Sequence, residues 1–306
     1  MKNLLTVLLL ANLAMFSGSA YATNYYFSST DGDDSRSSAE AQNSATPWKT
    51  LSKLNSILSS LQPGDQILFK RGDVFYGSII ATKAGTSSQH ITFSAYGSGA
   101  KPIITGFTQV TSWTNAGGSI WQSTSAVSSL GTTNMVAING VNTPMGRTPN
   151  TGSYYSISSH TSSAVTIGSV SGANYKGAEV VFKTAASWIM SRNLITSQSG
   201  TTLSFIKNYP NPFGFTIYDP ANSQAFIQNA LSTLDAQNEW YYDPSTKKLN
   251  IYSSSTPAGV RIATIDSLVK VTVGYLTFDN LDFEGANTDC FQLSNATDIT
   301  IQNCDI

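Results

Sequence analysis

The segment Leu276-Thr277-Phe278-Asp279-Asn280-Leu281-Asp282-Phe283 returns 23 residues later as Ile299-Thr300-Ile301-Gln302-Asn303-Cys304-Asp305-Ile306. Each apolar position falls on an apolar position, Thr277 falls on Thr300, and Asn280 on Asn303. Just upstream, Val269-Lys270-Val271 falls on Phe291-Gln292-Leu293 at an offset of 22. Short alternating strands that recur every twenty-odd residues are the pattern of a β-solenoid, with one coil per repeat. Ile306 occupies an inward apolar position and no polar cap follows it. A solenoid needs several stacked coils and a capped end to bury its core. The sequence is therefore expected to be the front part of a longer protein.

Working outward, a coil of similar length occurs near residues 65–106. Ile67-Leu68-Phe69 and Ile91-Thr92-Phe93 are offset by 24 residues and are followed by glycine turns at Gly72 and Gly97. Ser78-Ile79-Ile80 and Ile103-Ile104 supply further strands. Ahead of this coil the spacing predicts one amphipathic helix. Thr46 reads as its N-cap and Pro47 as its first residue, with Trp48, Leu51, Leu54, Leu58 and Leu61 on one face and Pro63-Gly64 as the stop. Such a helix would cover the apolar end of the first coil, which is otherwise an exposed sheet edge.

Residues 107–258 lack this period. Met135 to Val141 carries an Asn-Gly turn between apolar runs, the strongest short hairpin signal. Glu239-Trp240-Tyr241-Tyr242 and Leu249-Asn250-Ile251-Tyr252 flank Asp243-Pro244-Ser245-Thr246, a second hairpin by its turn chemistry. An all-β chain is expected: a capping helix and first coils over 23–106, an inserted antiparallel β-sandwich-like region over 107–258, and a resumed β-helix over 259–306. The insert is rich in aromatics, including Trp113, Trp121, Trp188, Trp240, Tyr154, Tyr155 and Tyr209. Core packing of strands accounts for most of them.

Residues 1–22 read as a secretory signal peptide, with Lys2 before an apolar run from Leu4 to Phe16 and Ala20-Tyr21-Ala22 as the cleavage site. The apolar run is too short to span a bilayer, so no membrane span is expected in the mature chain. The address is secretion: extracellular, periplasmic or cell surface. Charged residues make up 11% of the chain, against about 25% in ordinary domains. That composition argues against nucleic acid, whose binding needs a basic face. Cys290 and Cys304 are the two cysteines. Cys304 aligns with inward Leu281, which favours two unpaired thiols over a bridge.

The stacked positions hold the candidate chemistry. Asn280 and Asn303 fall at a bend and read as a structural amide ladder. Asp282 and Asp305 stack on the outward face at about 4.8 Å, the strand spacing. Two carboxylates so placed repel, share a proton or bind a cation, and paired carboxylates are what acid/base work on glycosidic bonds requires. The bland alternative is two solvated aspartates. Glu284 lies close by and carries a weaker signal. Arg147, in a turn-rich loop, would either reach a substrate or fix the loop through backbone carbonyls. Asp31, Asp33 and Asp34 lack the spacing of a calcium loop, and with two histidines and no Cys-x-x-Cys no metal site or cofactor is expected.

Pro47-Trp48-Lys49-Thr50-Leu51, Pro63 to Asp73, Ile91 to Gly97, Leu234 to Asp243 and the closing Leu276 to Ile306 are similar to secreted bacterial right-handed parallel β-helix proteins of the pectate-lyase-like superfamily. The resemblance implies a polysaccharide-degrading enzyme with a polysaccharide or oligosaccharide substrate. It includes β-xylosidases whose β-helix is interrupted by a β-sandwich. In such proteins the catalytic carboxylates sit on later coils, so none is carried over. A glycoside hydrolase is the leading reading. The alternatives are a polysaccharide lyase, which would need a basic residue and often calcium, and a non-catalytic glycan-binding or adhesion β-helix.

Overall fold

The computed structural model describes residues 22–168, 170, 173–183, 190–207 and 224–306. The leader read over 1–22 lies outside them but for Ala22, as do Trp188 and Tyr209. The protein is all-β, with a single α-helix among the described residues.

Three of its sheets are wholly parallel. The first runs Asn24–Phe27, Gln66–Lys70, Ile91–Tyr96, Leu276–Asp279 and Ile299–Gln302 in that spatial order. The second pairs Val74–Tyr76, Ile103–Thr105 and Asp282–Glu284. The third pairs Ile79–Ala81, Ile265–Val271 and Ala286–Leu293. From Gln66 onward the chain visits these sheets in a fixed cyclic order, first, second, third. It leaves after Ile103–Thr105 and returns at Ile265, where the strand pairs directly with Ile79–Ala81. None of the described residues of the intervening segment enters the parallel ladders.

Registers follow the apolar pattern. Leu276 pairs with Ile299 and Val269 with Phe291, the expected offsets of 23 and 22. Near the N-terminus Ile67 pairs with Phe93, an offset of 26 instead of the expected 24. A slip of two residues keeps every side chain on its own face, so the apolar pattern alone does not separate the two registers. The inward residues make one core that includes Phe27, Phe69, Phe75, Phe93, Phe278, Leu281 and Phe283. Phe93 and Phe278 stack across adjacent strands with ring centroids 4.8 Å apart. Each such ring contributes about 1.5–3 kcal/mol by leaving water.

The helix spans Leu51–Ile57 and is capped by Thr50, whose hydroxyl accepts from the Lys53 N–H at 3.0 Å. The expected start at Thr46-Pro47 is corrected: Trp48 is extended and bridges Phe27 in parallel, and Thr46 donates its hydroxyl to the Glu40 carbonyl. Leu51, Leu54, Leu58 and Leu61 are buried in the core. Asn55 works as a substitute strand, donating to the Ser78 carbonyl and accepting from the Ile80 N–H. The edge of the third sheet is thereby paired instead of exposed. The three N-terminal aspartates are spent separately. Asp34 accepts from Lys49, Thr50 N–H and the Thr50 hydroxyl, Asp33 from Ser35, and Asp31 from Lys70.

The described strands between Phe107 and Ala263 pair antiparallel. Two four-stranded sheets share a core of Val110, Val136, Ile138, Trp240, Tyr242, Leu249 and Ile251, a sandwich-like arrangement. Asn139 and Gly140, both at positive φ, make the two-residue turn between Val136–Ile138 and Val141–Thr143, as the Asn-Gly signal indicates. Beside them is a barrel that the sequence reading did not anticipate. Its strands run from Tyr155–His160 through Ala164–Ile167, Thr202–Lys207, Met190–Ser199 and Glu179–Lys183, and Gln224–Gln228 closes the ring. Val260–Ala263 also departs from expectation: it pairs antiparallel with Phe107–Val110 and Val136–Ile138, because Val260 and Ile262 are buried in the sandwich core.

Candidate functional site

The second parallel sheet turns Phe75, Ile104 and Phe283 inward, so by strand alternation their neighbours face out. Two outward rows result. One runs Val74, Ile103, Asp282, with Asp305 bridged to Asp282 beyond it. The other runs Tyr76, Thr105, Glu284. Each row passes from apolar or aromatic side chains to acids across adjacent strands about 4.8 Å apart.

The three expected acids have different surroundings. Asp282 is half-buried, and burial, the neighbouring Asp305 and then Glu284 push its carboxyl above the ordinary carboxylate range, against a smaller pull from Lys101. Asp305 accepts from the Lys101 ammonium at 2.9 Å. Glu284 accepts from Arg261 at 2.6 Å, and that guanidinium lies 4.7 Å from the centre of the Phe107 ring. Glu284 and Asp305 are thus each held in an ion pair, with Arg261 and Lys101 respectively, whereas Asp282 belongs to none of the ion pairs among the described residues. A protonated acid beside an ionisable one is what protonation of a leaving oxygen followed by attack at the anomeric carbon requires.

Thr108 and Thr264, where the chain leaves and rejoins the parallel sheets, lie beside Tyr76. The Tyr76 hydroxyl shares a hydrogen bond of 2.8 Å with Thr264 Oγ1, which also lies 2.9 Å from Thr108 Oγ1. Gly106 sits where the chain leaves for the insert. A Cβ there would meet the Gly285 carbonyl oxygen at 2.4 Å, so the crossing is close enough to demand glycine.

Arg147 is placed elsewhere, on the barrel sheet. Its guanidinium donates to the carbonyls of Pro149 and Ser153 at 2.9 and 2.8 Å and lies 3.7 Å from the Phe226 ring centre. Its donors fix the loop, and the structure does not bring it to the acids. The Asn280 and Asn303 amides bond Arg71 and Asp279, at 2.8 Å each, in place of one another. Both backbones are left-handed, the conformation in which asparagine replaces glycine at a turn.

No family model matches the chain. A lacto-N-biosidase of Bifidobacterium longum subsp. longum is 42% identical over 86 residues, which are 27% of this chain and 5% of that protein. Among solved structures, one described as a glycoside hydrolase matches with a TM-score of 0.66 at 18% identity, over 87% of this chain and 51% of its own. A GH136 lacto-N-biosidase from Eubacterium ramulus is 40% identical over 28% of this chain and 14% of its own, with a TM-score of 0.24. The proteins that this chain resembles are thus named as glycoside hydrolases or lacto-N-biosidases. The match spans about a twentieth of the curated relative and about half of the first structure. At 18% identity that structure shares the fold.

Lys101, Arg261, Tyr76 and Thr264 complete the site and were not singled out from sequence. Tyr76, on Val74–Tyr76, and Lys101, two residues before Ile103–Thr105, lie about 180–200 residues from Asp282 in sequence. Only the pairing of Ile103 with Asp282 brings them together.

Proposed function

We propose that this protein is a secreted, carbohydrate-active glycoside hydrolase that cleaves a polysaccharide or oligosaccharide. In this reading the three parallel sheets are the faces of a right-handed parallel β-helix, and residues 107–263 are an insertion that walls its second face. One observation carries the reading: Asp282 and Asp305 stand on adjacent parallel positions with unlike surroundings, one half-buried and pushed toward its protonated form, the other beside an ammonium. Asp282 acts as the general acid and Asp305 as the nucleophile or base. A separation set by strands about 4.8 Å apart is nearer the ~5–5.5 Å used by retaining glycosidases than the ~6.5–9.5 Å that leaves room for a water in inverting ones. Arg261 and Glu284 hold the floor of the site, and Tyr76 offers a ring against which a sugar can stack.

The names of the similar proteins and the shared fold support this reading. The test is turnover by the intact exported protein on a panel headed by lacto-N-biosides and extended to neutral oligosaccharides. Asp282→Asn and Asp305→Asn should each lower kcat by about a hundredfold or more, with melting temperatures no lower than that of the wild type. Unchanged turnover by both variants on a substrate that the wild type cleaves would overturn the assignment.

A further inference from the structure

The insert holds a cleft remote from the acids. It has a volume of about 620 Å³ and is lined by three segments: Asn174 with Lys176 to Ala178 ahead of the barrel strand Glu179–Lys183, Asn229 to Ser232 after the closing strand, and Tyr241 with Asp243 to Ser245 of the Trp240–Asp243 hairpin. Volumes of roughly 300–1,000 Å³ at the meeting of two substructures are typical of small-ligand sites. None of its lining residues belongs to the parallel sheets.

The chemistry of the lining is mixed. Strand alternation buries Trp240 and Tyr242 in the sandwich core and turns Tyr241 the other way, into the cleft. Leu231, half exposed, adds a second apolar surface. Around them stand hydrogen-bonding groups with spare capacity. Asn174 uses its Oδ1 to accept from the Lys176 N–H, which leaves its amide NH₂. Lys176 is exposed and belongs to none of the ion pairs among the described residues. Ser232 adds a hydroxyl. Asp243 is the acid of the lining, and its carboxylate already accepts from the backbone and hydroxyls of Ser245 and Thr246. One ammonium and one occupied carboxylate leave the cleft without a dominant charge.

An aromatic ring ringed by amide, hydroxyl and ammonium donors fits a ligand with an apolar C–H face and a rim of hydroxyls. We propose that this cleft is an auxiliary subsite that binds a neutral oligosaccharide, with its pyranose ring stacked on Tyr241 and its hydroxyls accepting from Lys176 and Asn174. The choice of a sugar over another amphipathic molecule rests on the glycoside hydrolase reading. The subsite holds substrate and takes no part in bond cleavage.

The test is affinity electrophoresis of the intact protein in gels containing xylan, β-glucan or β-galactan, with polygalacturonate as the anionic control. Fluorescence titration with the matching hexasaccharide follows. The wild type should be retarded by at least one neutral polymer. Tyr241→Ala should weaken that binding about tenfold, the size of one aromatic contact, and the exposed Lys176→Ala about threefold. Both variants should cleave a short substrate at the wild-type rate and melt at the wild-type temperature. Retardation of the wild type by none of the neutral polymers, or equal retardation of wild type and both variants, overturns the subsite. So does binding to polygalacturonate alone. If the Asp282 and Asp305 variants keep full turnover while Tyr241→Ala loses binding, the catalytic assignment fails and the subsite stands.

Discussion

Burial and the charge of Asp305 act in the same direction on Asp282, so its folded carboxyl titrates above the ordinary value of 3.8. Between that value and the raised one the folded protein holds more protons than the unfolded chain. Stability therefore falls as pH rises through this window, and the deficit persists above it. Asp282→Asn removes the deficit. Its melting temperature should exceed that of the wild type at pH 7, with the gap closing as pH falls below about 4. A lower melting temperature for the variant at pH 7 contradicts the strained environment assigned to this side chain. A functional carboxylate held at a cost to stability is a common trade in enzymes. The acid pair was legible in the sequence because both aspartates lie in consecutive repeats. The Lys101 partner of Asp305 was not, since it lies 204 residues away in sequence and becomes a neighbour only through the parallel pairing of Ile103 with Asp282. Arg147 shows the opposite limit. An arginine in a turn-rich loop has the same sequence signature whether it meets a ligand or its own carbonyls.

At the scale of elements, apolar spacing identified the helix but misplaced its start. Pro47 and Trp48 satisfy the rules for a first turn, yet the Trp48 N–H donates to Tyr26 and its carbonyl accepts from Ser28. Pairing with a strand already in place outweighs local propensity, which is worth only fractions of a kcal/mol per residue. Asn55 was silent in the sequence as one polar residue on a helix. In the fold it satisfies two backbone groups of the edge strand. Asn55→Ala should cost about 0.5–1.5 kcal/mol, since it removes the side-chain hydrogen bonds to the Ser78 carbonyl and to the exposed Ile80 N–H. Denaturant unfolding measures this, and a loss below about 0.5 kcal/mol would mean that water replaces the amide without penalty. The parallel pairing of Gln66–Lys70 with Ile91–Tyr96 followed the period, though its register differs by two residues. Face alternation carries no information about even slips.

For the whole molecule, the parallel pairing of Leu276–Asp279 with Ile299–Gln302 was visible as the 23-residue repeat, and the antiparallel Val136–Ile138 and Val141–Thr143 pair as the Asn-Gly turn. The barrel was not. Its closure depends on Gln224–Gln228 pairing with Glu179–Lys183 on one side and Tyr155–His160 on the other, contacts that no local pattern records. The insert's ends meet closely: the Thr264 N–H donates to the Gly106 carbonyl at 2.9 Å. Replacing residues 107–263 by a short glycine-serine link should therefore leave the parallel sheets folded, because closing so short a gap costs little chain entropy. Circular dichroism with a single cooperative melt checks this. Loss of the parallel-sheet spectrum would mean that the insert is needed to hold the stack together.

The glycoside hydrolase assignment meets its most direct test in an affinity label. An epoxyalkyl glycoside of a substrate that the protein cleaves is incubated with the intact enzyme, and the esterified residue is located by peptide mass spectrometry. A carboxylate that attacks the anomeric carbon also opens the epoxide, provided that a neighbouring acid protonates the ring oxygen. The account predicts one label per molecule on Asp305, with inactivation that parallels labelling and is lost in Asp282→Asn. A single stoichiometric label on a carboxylate outside the second parallel sheet, with Asp305 unmodified, would contradict it.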